Sequence, residues 1–299
     1  MIMNYINKIK TNITINTNKK TSNLLDGSYV SIYKGRSMNF EDLREYVVGD
    51  NIKDIDWKAS ARSRNLLVRR YIAEKKHNVM LVFDTGKKMI ANTKALEVKK
   101  DVALYSAGTL AYLANKNGDY VSSLYNNNGL IKFFPFRFGL YNIENILSNY
   151  DNDMQDSNDT NVEKTLDYIS KFIKRRMIIF IITDISGMEQ ISEVVLKKLT
   201  VWHDIMLINI SDADITGKDV YDIDESLYIP EFVLQDKELQ KIEERRKRHE
   251  NELHEKYLQL YHNEQCYEEL MQMLEEAYQN RPAELRSLDS RREKEPNWY

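Results

Sequence analysis

Two short segments, NVMLVFD at 78–84 and MIIFIITD at 177–184, constrain this chain more than anything else in it. Each carries an apolar run of strand length, at 79–83 and 177–182, and each segment ends on an aspartate. A strand with no polar residue on either side has both faces covered, which is the habit of a parallel sheet between helices. Neither run approaches the roughly 20 residues needed to span a bilayer. The segments around them alternate between helical and extended patterns. Helices are expected over 92–115, 141–150, 162–175 and 187–200, and strands over 79–83, 120–125, 130–134, 177–183 and 205–210. Asn126 to Gly129 supplies the turn of a hairpin between the second and third of these strands. The expected fold class is α/β, a Rossmann-like, mostly parallel sheet with helices on both faces. Chemistry in such sheets gathers at the carboxyl ends of the strands, where Asp84 and Asp184 fall.

The chain divides by texture into a loose polar arm at 1–20, an N-terminal segment at 21–76, the α/β domain at 77–235, charged helices at 236–280 and a polar tail at 281–299. Within the second of these, 27–33 reads as a strand. Asn39 caps a short helix carrying Phe40, Leu43, Tyr46 and Val47, 55–61 forms a helical turn, and 66–72 alternates as a strand. In the C-terminal helices Glu243 and Lys247 form a favourable i,i+4 pair. Leu239, Ile242, His249, Leu253 and Tyr257 make a narrow apolar stripe there.

Residues 35–70 mix opposite charges with aromatic and aliphatic side chains, which a solvated charge run does not need. Arg44, Arg62 and Arg69 can pair with Asp50, Asp56 and Glu74, with Glu45 beside them. Arginine forks suit bidentate carboxylate pairing. Trp57 is expected to bury its ring. The segment reads as a clamp on the sheet. Partner recognition, and a metal-dependent hydrolase or nuclease using Glu45, Asp50, Asp54 and Asp56, are the competing readings.

Composition narrows the classes further. The net charge of −3 gives no electrostatic case for nucleic acid or anionic membranes. Cys266 stands alone, so no intramolecular disulfide forms, and a reducing, cytoplasmic setting is expected. No P-loop motif is present, and the five histidines show no zinc-protease or triad context.

Gly35, Phe40, the Leu43-Arg44-Glu45-Tyr46 run, Gly49-Asp50, Ile55-Asp56-Trp57, Ser60-Ala61-Arg62, Val68-Arg69 and Glu74 together resemble the signature of a bacterial family called domain of unknown function 58. That signature precedes a von Willebrand factor A-like core, and Asp84 with Thr183-Asp184 resembles the aspartate pair of its metal-ion-dependent adhesion site. The resemblance implies a degenerate site made of Asp84, Gly86, Lys88 and Asp184. Gly86 and Lys88 stand where the family pattern has serines, and 136–140 lacks the threonine ligand. No metal or other cofactor is therefore expected. If a divalent cation such as Mg2+ bound at all, Asp84 and Asp184 would hold it. Lys88 is expected to place its ammonium between the two aspartates. The resemblance further implies a non-enzymatic adaptor working with a MoxR-type AAA+ ATPase, or with other von Willebrand A proteins, in protein assembly or maturation. Its expected contact face is the rim around Asp84, Lys88 and Asp184, with 35–70 second.

Overall fold

In the computed structural model the described residues are 38–50, 52–73, 76–93, 97–154, 162–213, 221–222, 227–228 and 237–258, with single positions among 5–9 and 268–279. The two apolar runs form adjacent strands, Asn78–Phe83 (β3) and Ile178–Thr183 (β6), paired in parallel. Tyr120–Asn127 (β4) adds in parallel beside β3, and Asp204–Asn209 (β7) in parallel beside β6. Leu130–Arg137 (β5) closes one edge as the antiparallel half of a hairpin. The hairpin turns at Asn128 and Gly129, both with positive φ, as an Asn-Gly turn requires. The strand order β5-β4-β3-β6-β7 confirms the α/β, mostly parallel architecture.

Strand alternation sorts the core into two layers. Val79, Leu81, Phe83, Phe180 and Ile182 face one side, where Lys99–Lys116 (α2) and Leu140–Asp153 (α3) cover them. Met80, Val82, Ile179 and Ile181 face the other, under Val162–Phe172 (α4), Ile185–Gln190 (α5) and Glu193–Trp202 (α6). The long C-terminal helix Lys237–Leu258 (α7) adds Leu253 and Tyr257 to this second layer. Tyr257 donates to Met188 O at 2.9 Å. Ile242, assigned to the same stripe, is instead 48% exposed. Glu243 and Lys247 do pair, at 3.4 Å.

Ahead of the sheet, Met38–Glu45 (β1) and Leu67–Ala73 (β2) pair as an antiparallel ribbon of their own, with Trp57–Ser63 (α1) between them. The helix expected after Asn39 is therefore a strand. The spacing of Phe40, Leu43 and Tyr46 imitates a helical face, but backbone pairing with β2 decides the outcome. The strand expected at 27–33 lies outside the described residues, as do Cys266 and the tail.

Other expectations shift by physical detail. The helix expected over 187–200 is broken in two, because Ile191 and Ser192 are extended and Ser192 begins a new helix. The helix expected from Asn92 begins at Lys99, after a 3-10 turn at Lys87–Ile90 and a bridge between Asn92 and Val98. The arm at 1–20 is not wholly loose. Ile6 and Ile9 join the first core layer, and the amides of Tyr5 and Ile6 donate to the Glu144 carboxylate at 3.1 and 2.9 Å. Leu270 and Leu274 join the same layer from the other end of the chain. Among the described residues no helix is long and apolar enough to cross a membrane.

Candidate functional site

The chain runs outward from β3 to β4 and later returns to β6 on the opposite side of β3. The gap between β3 and β6 is thus the switch point of the sheet, and Asp84 and Asp184 follow these two strands. The Asp84 amide donates to Ile182 O at 3.0 Å, so the two strand ends are level. Asp184 caps α5 by accepting from the Gly187 amide at 3.0 Å. Asp84 accepts from the Gly86 amide at 2.7 Å and from the Thr183 hydroxyl at 2.5 Å. Gly187 is required here by space, because a Cβ would collide with Thr183 Oγ1 and Asp84 Oδ2. From the other layer, the Tyr150 hydroxyl donates to Asp84 O at 2.8 Å while its ring stacks on Phe83 at 4.2 Å.

A lysine does supply a cation at this point, but it is not Lys88. Lys99, in the first turn of α2, is fully buried and places its ammonium 2.6 Å from Asp184 Oδ2. The same ammonium pairs with Asp212, beyond the end of β7. Lys88 is exposed and donates to Ser186 Oγ at 3.2 Å. The reason is geometric: Lys88 sits on the 3-10 turn at the surface, whereas α2 starts under the strand ends and aims Lys99 inward. The ion chain continues outward. Arg246 on α7 approaches Asp212 at 3.5 Å, Ala213 O at 2.7 Å and Glu243 at 3.0 Å.

Burial alone would discharge Lys99, but Asp184 and Asp212 outweigh it and hold the ammonium charged. The Asp84 carboxyl is pushed up to about 6, first by burial and then by the charge of Asp184. Thr183, the Gly86 amide and Lys99 oppose that rise.

The donor set does not match a hard divalent ion. Magnesium takes six oxygen ligands at about 2.0–2.1 Å. Here an ammonium already occupies the point on which Asp184 and Asp212 converge, the Thr183 hydroxyl is spent on Asp84, and Gly86 has no side chain. Nor is the aspartate pair a surface: Asp84 is 5% exposed and Asp184 1%. The rim expected to meet a partner is closed at its two central residues.

The N-terminal network forms in part. Arg44 grips Asp50 with its two terminal guanidinium nitrogens, each at 2.7 Å, and the Val47 amide donates to the same carboxylate at 2.9 Å. These bonds hold the Asp50 carboxyl below its usual range, with the Arg44 hydrogen bond the main cause. Asp56 caps α1 through the Ala59 amide at 3.0 Å and pairs with Arg69 at 3.1 Å, which likewise lowers it. Glu45 accepts from Asn65 at 2.6 Å. Arg62 is exposed in the last turn of α1, and Glu74 lies outside the described residues. Trp57 is not buried as expected: at the first position of α1 it is 64% exposed.

A family described as "Protein of unknown function DUF58" matches residues 42–217, which holds the end of β1, all of α1 and β2, and the whole central sheet. The chain belongs to this family. The DUF58 chain is also 25% identical over 127 residues to uncharacterized proteins of Mycobacterium bovis (Mb1516) and Mycobacterium tuberculosis (MT1527 and Rv1480). Each match covers 42% of the DUF58 chain and 40% of the relative, so the chain spans well under half the length of these relatives. A conserved hypothetical protein, BatB from Bacteroides thetaiotaomicron, superposes with a TM-score of 0.37 and 11% identity, over 54% of this chain and 77% of that one.

Proposed function

We propose that the protein is a non-enzymatic adaptor of von Willebrand A-like type, working with a MoxR-type AAA+ ATPase in protein assembly or maturation, and that it meets its partner through the ribbon rather than the strand-end rim. The observation that carries this reading is Trp57. A tryptophan 64% exposed on a small, internally fixed element is an anchor waiting for a pocket. Val47, Val48, Ile52 and Leu66, all exposed, lie at the same end of the ribbon, with Val48 at 95%. Two Arg–Asp pairs hold that end in shape, which lowers the ordering cost of binding. The same pairs argue against the hydrolase reading, because Asp50 and Asp56 are already committed to guanidinium and amide donors.

The test is capture of a MoxR-type ATPase from the native host on the immobilised full chain. Trp57→Ala is expected to weaken capture by tenfold or more, in line with a hot-spot loss of about 2 kcal/mol, and to leave the thermal midpoint unchanged. Equal capture by wild type and variant would remove the ribbon from the interface. A metal-dependent hydrolysis abolished by Asp50→Ala would replace the adaptor with an enzyme.

A further inference from the structure

We infer that Lys99 is the resident cation of the strand-end site: its ammonium occupies the position of a divalent ion among the aspartates, and its removal converts the site into one that binds such an ion. The inference is independent of the partner assigned to the ribbon.

Geometry carries it. Asp184 follows β6 and Asp212 follows β7, yet their carboxylates converge on the single Lys99 nitrogen, which fixes one common point between them. Asp84 stands beside this point, close enough that the Asp184 charge and the Lys99 charge both act on its carboxyl. Such a gathering of carboxylates in a buried setting needs positive charge at its centre. A lysine delivers one charge on a covalent arm, without the oxygen ligands a metal demands. The arm is held in place: the Lys99 amide donates to Ala91 O at 2.9 Å, and the Asn92–Val98 bridge closes the loop behind it. Lysine at the first turn of a helix runs against the helix dipole, so this position costs something locally that the aspartates offset.

Truncating Lys99 empties the common point while keeping its carboxylates. Asp212 is 23% exposed, so one of the two carboxylates at the point touches solvent. An incoming ion would find Asp184 and Asp212 as first ligands, with water completing the shell.

The experiment is a titration of the full-length protein with Mn2+, read by calorimetry and by the loss of the free-ion electron spin resonance signal. Wild type is expected to show no saturable uptake tighter than about 1 mM, the weak end of calcium-type sites. Lys99→Ala is expected to take up one equivalent and to gain thermal stability with Mn2+. Lys99→Ala/Asp184→Asn is expected to lose both. Wild-type binding of one equivalent in the micromolar range overturns the inference, as does a folded Lys99→Ala protein indifferent to Mn2+. Should Lys99→Ala fail to fold, wild type still decides. In 15N-lysine-labelled protein the buried Lys99 ammonium should give a slowly exchanging signal that persists in millimolar Mg2+. Displacement of that signal by Mg2+ would overturn the inference.

Discussion

Asp84 and His203 give the fold two opposite responses to acid. The Asp84 carboxyl is raised from 3.8 to about 6, so the native state takes up its proton before the unfolded chain does. Its contribution to stability therefore grows as pH falls from 7 through 6, by about 1 kcal/mol at pH 5. His203 is lowered from 6.5 to about 4, with burial the main cause. The unfolded chain takes up that proton first, and stability is lost as pH falls from 6.5 toward 4. The two nearly offset in wild type. Urea midpoints at pH 7 and pH 5 should separate them: Asp84→Asn should leave a protein markedly weaker at pH 5, and His203→Gln one that gains. Parallel pH profiles in all three proteins would contradict both assignments. Gly187→Ala is a third residue-scale case. Its methyl must displace the Thr183–Asp84 hydrogen bond, at an expected cost of about 1–3 kcal/mol by urea denaturation.

The strand-end aspartates were legible in the sequence, because each follows an apolar run that can only be a buried strand. A cation at this pair was expected too, from Lys88 and between Asp84 and Asp184; the one present comes from Lys99 and bridges Asp184 and Asp212. Lys99 sits in a Lys-Lys-Asp triplet inside the helix expected over 92–115, where it reads as an ordinary solvated position, and Asp212 lies in a polar stretch after the last strand of the sheet. The signal that a lysine pair opening a helix is electrostatically out of place needed the true helix start at Lys99, which the structure supplied.

At the scale of elements, the ribbon and α7 show what holds peripheral pieces. A two-stranded ribbon is marginal alone. This one buries Ile55 and Val68, which bridge to each other, and ties its turns with Asp50 and Asp56. Asp56→Ala removes the α1 cap and the Arg69 partner together. Faster hydrogen exchange is expected at the Ala59 and Ser60 amides and along β2, with β3 and β6 unchanged. Exchange that stays slow would show that packing alone holds the ribbon. For α7, Tyr257→Phe should cost about 1 kcal/mol, the usual worth of one buried hydrogen bond. The elements easiest to read were those whose burial is total, such as β3 and β6. β1 was misread because its sequence has no apolar alternation strong enough to contradict a helical spacing of Phe40, Leu43 and Tyr46.

Over the whole molecule, the first core layer is finished by both ends of the chain. Ile6 and Ile9 lie in it beside α2 and α3, and Gly108 leaves the space that Ile9 fills. Ile6→Ala is expected to lower stability by about 2–5 kcal/mol, the range for a fully buried isoleucine. A loss below 0.5 kcal/mol in urea would show that this segment only rests on the surface.

That closure sets an order of events during synthesis. Ile6 and Ile9 are synthesised before any strand of the central sheet, and Leu270 and Leu274 only after all of its strands. Until then the layer over Phe83 and Phe180 has an open flank. A nascent chain whose five-stranded sheet is already made therefore still bares apolar surface on this layer until Leu270 and Leu274 have been added.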